Sequence, residues 1–71
     1  MTNSTRKNRV NFGITYRDNR WHVWYATSIN WGTWGAAKLN GDFDTPEEAE
    51  QEARRQSQSK EWEGWDINFP R

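Results

Sequence analysis

A chain of 71 residues has room for one domain, and its ten basic and ten acidic side chains give a formal net charge of zero. The absence of cysteine excludes a disulfide framework and thiolate metal sites, and the single histidine, His22, argues against a structural zinc site. No apolar run approaches the ~20 residues of a membrane span and no signal-peptide core is visible. A cytoplasmic, membrane-free protein with no metal or cofactor is therefore expected.

In chain order, residues 1–9 are polar, basic and aperiodic, and read as a flexible arm ahead of a single domain over 10–71. Phe12, Ile14 and Tyr16 alternate with Gly13, Thr15 and Arg17, a strand pattern. Asp18-Asn19-Arg20 supplies a short turn, and Trp21, Val23, Tyr25 and Thr27 alternate with His22, Trp24 and Ala26 to complete a β-hairpin. A loop is expected over Ser28–Trp31 and a third strand over about Thr33–Leu39, with Asn40-Gly41-Asp42 breaking or turning it. Thr45, Pro46 and Glu48 fall at the N-cap, N1 and N3 positions of a capping box. The helix they start runs to about Ser57 or Ser59 and turns Ala49 and Ala53 inward. Trp65, Ile67 and Phe69 then share one face of an extended tail that closes the sheet–helix seam or adds an edge strand. The predicted fold is α+β: a three-stranded antiparallel sheet on one helix, with an aromatic C-terminal tail.

Six tryptophans, three phenylalanines and two tyrosines stand against six Ile, Leu and Val residues. Each ring buries roughly 150–250 Å² when enclosed, more than so small a core holds for all of them. Some rings must remain at the surface, where Trp and Tyr mark contact sites. Trp21 shares the face of Val23 and Tyr25 and reads as core, whereas Trp31 and Trp34, on an irregular segment, read as aromatic contact residues. Charge is segregated as well. Residues 1–39 carry six cations against Asp18, and residues 40–71 carry nine carboxylates against four cations, which makes the neutral chain dipolar. The acidic helix, Glu47 to Glu52, reads first as a solvated face that compensates the helix dipole.

Three stretches taken together resemble a known family. They are Gly13-Ile14-Thr15-Tyr16-Arg17 followed by Trp21-His22-Val23, then Gly41-Asp42-Phe43-Asp44-Thr45-Pro46-Glu47-Glu48-Ala49, and finally Asn68-Phe69-Pro70. Their order and spacing over about 12–70 resemble the ethylene-response-factor (APETALA-type) DNA-binding domain, whose relatives occur in phage homing endonucleases and in the arm-binding domains of tyrosine recombinases. That resemblance implies a sheet lying in the major groove of double-stranded DNA, with the helix packed behind. Carried over, the DNA-facing residues are Thr15, Arg17, Arg20, His22, Trp24 and Lys38, joined by Arg6, Lys7 and Arg9 of the arm. Positions that are typically basic in the family stand here as Thr15, His22, Trp24 and Ala26. The remaining cations suit about four to six phosphate contacts and modest, salt-dependent binding.

Catalysis finds no foothold: there is no nucleophile–base pair, no glycine-rich phosphate loop and no metal-ligand spacing. The expected function is that of a small accessory or regulatory DNA-binding protein, for which size and analogy suggest a phage origin. The alternative is a protein-binding module, such as a phage inhibitor of a host enzyme of the anti-restriction or anti-CRISPR type. A third reading, single-strand binding, needs Trp24, Trp31 and Trp34 in a row along a basic groove. Charge geometry separates the first two: DNA binding requires Arg17, Arg20 and Lys38 on one open face, and a protein site requires a neutral aromatic patch there.

Overall fold

In the computed structural model, which describes residues 7–70, the alternating segments form the hairpin of β1 (Arg9–Arg17) and β2 (Arg20–Ser28). The two-residue turn is Asp18-Asn19, both left-handed (φ 52° and 64°), the geometry that matches strand twist and that Asp and Asn tolerate. Its register pairs Ile14 with Val23, Phe12 with Tyr25 and Gly13 with Trp24, so one face is apolar and the other mixed.

The third strand, β3 (Lys38–Phe43), runs antiparallel to β2 and lies later in the chain than the expected 33–39. Ser28, expected in a loop, belongs to β2. Asn40-Gly41-Asp42 does not break β3. It forms a bulge, because Trp21 pairs with Phe43 while Val23 pairs with Asn40, leaving one surplus residue on β3. Gly41 carries the left-handed φ of 82° that such a bulge requires.

The helix α1 (Pro46–Ser57) begins where the capping box places it. The Thr45 side chain accepts from the Glu48 backbone N–H at 3.2 Å, and Pro46 opens the first turn. Ala49 and Ala53 are buried and allow a close approach to the sheet, and Ser57 extends their stripe by a turn. Asn40 donates to the Gln56 side chain (3.1 Å), tying β3 to the helix.

The tail supplies a fourth strand. β4 (Asp66–Asn68) pairs in parallel with Arg9–Asn11, giving the order β3-β2-β1-β4 in a mixed four-stranded sheet with one helix packed on it. The core is Val10, Phe12, Val23, Ala49 and Ala53, walled by half-buried rings. Phe12 is its hub: it stacks on Phe69 (centroids 5.9 Å apart) and meets Trp62 edge-on (5.6 Å), while Trp62 meets Trp65 at 4.9 Å. Such geometry adds about 0.5–1.5 kcal/mol per pair beyond area burial, which compensates for the scarcity of aliphatic residues. No helix among the described residues is long and apolar enough to cross a membrane.

Candidate functional site

The outer face of the sheet, away from α1, is where the alternation places Gly13, Thr15, Arg17, Arg20, His22 and Trp24. At its centre Trp24 lies flat across Gly13, so that a Cβ on Gly13 would stand 2.6 Å from the indole. Only a glycine opposite Trp24 lets the ring cross onto β1 instead of standing away from the sheet. Beside it, Thr15, Arg17, Trp24, Ala37 and Leu39 surround a shallow hollow of about 320 Å³.

The other end of this face is an aromatic clamp. The Arg9 guanidinium lies 4.5 Å from the Trp31 ring centroid and 4.9 Å from that of Trp34, a cation held against two indoles. Arg9 is thus the first residue of β1 and not part of an arm. Its buried Nε has no hydrogen-bond partner among the described residues. The loop presenting the two rings is pinned to the end of β2. Ser28 Oγ donates to the Gly32 carbonyl (2.7 Å), and the Gly35 N–H donates to the Thr27 carbonyl (2.9 Å). Asn30 N–H donates to Asn8 Oδ1 at 2.8 Å. Within a short 3-10 turn (Ile29–Trp31), Asn30 and Trp31 both take left-handed backbones, φ 53° and 60°. For a residue as bulky as Trp31 that conformation costs of order 1–3 kcal/mol, and it concentrates at functional positions.

The cations expected on this face are dispersed. Arg20 forms ion pairs with Asp42 and Asp44, two carboxylates at the bulge end of β3. Lys38 does not belong to the outer face: it pairs with Tyr25, on the helix side of the sheet. Regular alternation counted back from Phe43 would put Lys38 outward, and the surplus residue at the bulge inverts it. Arg17 remains exposed on the face without an ion-pair partner among the described residues, as does Lys7 beyond its end. Arg6 lies outside the described residues. His22 is occupied structurally: Nδ1 donates to the Gly41 carbonyl (2.9 Å) and Nε2 stands 3.3 Å from the Arg17 carbonyl, which latches bulge to hairpin.

Apolar surface is concentrated instead. Ile29, Trp31, Trp34 and Leu39 are 54%, 47%, 37% and 45% exposed and fall within the link from β2 to β3 and the start of β3, while Tyr16, 56% exposed, stands apart by the hairpin turn, opposite Trp21. Sequence reasoning found the two tryptophans but missed Ile29 and Leu39, which sit alone among polar neighbours. The described residues hold no cluster of His, Cys, Asp or Glu that could bind a metal ion. Comparison with protein-family models, curated proteins and solved structures gave no match.

Proposed function

We propose that this chain is a small, non-enzymatic protein-binding module that acts in the cytoplasm and docks through the outer face of its sheet. The observation that carries this reading is the exposure of Ile29, Trp31, Trp34 and Leu39 on or beside a face whose cations are largely engaged elsewhere. Soluble proteins rarely leave large apolar side chains clustered in this way without using them, and Trp and Arg are among the residues most enriched in binding hot spots. A pinned loop holding two indoles in place lowers the ordering cost of association. The partner surface that fits is a shallow, largely neutral hollow able to receive the Trp34 edge and Leu39. A phage inhibitor of a host enzyme is one such module.

Double-stranded DNA is the second reading, favoured by exposed Arg17 and Lys7 and by the resemblance of the three sequence stretches. With Arg20 neutralised by two carboxylates and Lys38 on the opposite side, its phosphate-neutralising charge is small. A photo-cross-linking amino acid at Leu39, introduced in the cell that expresses the chain, separates the two. A discrete protein adduct that disappears when Trp34 is also changed to Ala supports docking. Adducts to DNA alone would overturn it.

A further inference from the structure

β4 pairs with β1 only as far as Asn11, and among the described residues no strand lies beside β1 beyond that point. The two-residue turn makes Arg17↔Arg20 a hydrogen-bonded pair, and hydrogen-bonded pairs then alternate along the hairpin through Thr15↔His22 and Gly13↔Trp24. The N–H and C=O groups of Ile14 and Tyr16 therefore point away from β2, to the open edge. Edges of this kind are normally covered or blunted, because they template pairing with another strand.

Here the edge borders a groove. About 390 Å³ of space lies between β1 and α1, floored by Phe12, Ile14 and Ala53 and closed at one end by Phe69. Towards the start of the helix it continues past Ile14 between Glu47 and Glu50. On the opposite side of the sheet the Trp24 indole reaches over Gly13 to the same edge. A strand added to β1 would thus find the open backbone groups of Ile14 and Tyr16, a wall of apolar side chains with the Glu50–Arg54 pair and, towards the helix start, Glu47 for alternate side chains, and an indole for the others.

Charge selects the occupant. Glu47 has no ionic partner among the described residues, and Glu50, which accepts from Arg54 at 3.0 Å, stands next to it on the groove wall. A second copy paired two-fold about Thr15 would bring the Glu47 and Glu50 rows of both helices together, like charge against like. An extended segment with a lysine or arginine flanked at alternate positions by aliphatic residues meets the opposite sign. We propose that the open edge of β1, with the α1 groove, takes an extended basic–aliphatic peptide segment of a partner protein by strand addition. This surface shares the Trp24 indole with the outer face but none of Ile29, Trp31, Trp34 and Leu39, and it does not depend on their role.

The probe is the capped peptide Thr-Val-Thr-Lys-Thr-Val-Thr, titrated into the labelled full chain. Fast amide hydrogen exchange at Ile14 and Tyr16 is expected in the free chain, and saturable binding of the peptide is expected to slow it. N-methylation of one alternate set of peptide amides should abolish binding, while methylation of the other set leaves it intact. Glu47→Lys should weaken binding at least tenfold with exchange in the β1–β2 hairpin unchanged. Equal binding by both methylated peptides, or Ile14 and Tyr16 amides already protected in the free chain at high dilution, would overturn the proposal.

Discussion

Gly13 decides what the outer face looks like. The missing side chain is what allows Trp24 to lie across β1, and adding one methyl forces the indole aside. Gly13→Ala is expected to cost about 1 kcal/mol in spite of the better strand propensity of alanine, and to increase solvent quenching of tryptophan fluorescence. An unchanged emission spectrum would place the ring elsewhere. Trp31 poses the opposite case, a large side chain on a left-handed backbone. Trp31→Gly removes that strain and the contact with Arg9 together, so a melting temperature close to that of the parent is expected, alongside loss of docking measured by cross-linking. Gly13 opposite Trp24 was not legible in the sequence: the expected turn Asp18-Asn19-Arg20 is one residue longer than the Asp18-Asn19 turn observed and would set Gly13 against Tyr25, whereas Arg20 in fact belongs to β2. Nor was the Arg9 clamp, because it joins the first strand to a loop some twenty residues away through contacts no local pattern encodes.

At the scale of elements, the hairpin and the helix follow from local rules, and the remaining pieces from tertiary ones. Thr45→Ala should destabilise the chain by about 0.5–2 kcal/mol in denaturant titration, the usual cost of an N-cap. Ala53→Glu, which buries a carboxylate between helix and sheet, should cost several kcal/mol and lower the melting point sharply. Glu52 adds a dependence on pH. Its carboxyl is held below the ordinary value of 4.5, chiefly by the hydrogen bond from Arg55 and then by that from Gln56, with partial burial opposing. A depressed folded-state value means that the contribution is present above the ordinary value and lost as pH falls through the lower one. Glu52→Gln should therefore flatten the acid limb of the stability profile below about pH 4.5, modestly, because the pair is at the surface. The third strand shows where local reading stops. Its polar Asn40-Gly41-Asp42 centre reads equally as a turn or a bulge, and the choice flips every residue before it, Lys38 included. The short parallel pairing of β4 is likewise set by packing of Trp65, Ile67 and Phe69 on the core, which the shared face of those residues suggested without fixing the partner strand.

Over the whole molecule, the segregation of charge along the chain does not become a basic face. Folding brings Asp42 and Asp44 to Arg20, sets Arg9 against two indoles and turns Lys38 to the other side, which leaves Arg17 and Lys7 as the exposed N-terminal cations on or beside the outer face among the described residues. Besides Arg17, the outer face carries aromatic and aliphatic surface, and the proposal of a protein partner rests on that surface. The most direct check is fluorescence anisotropy of a labelled random duplex titrated with the full chain across a salt series starting near ~50 mM. Weak, unsaturated binding throughout the micromolar range, indifferent to Arg17→Ala, is the expected result. Saturable micromolar binding that falls steeply with salt and is lost with Arg17→Ala would contradict it and make the sheet face a DNA-binding surface.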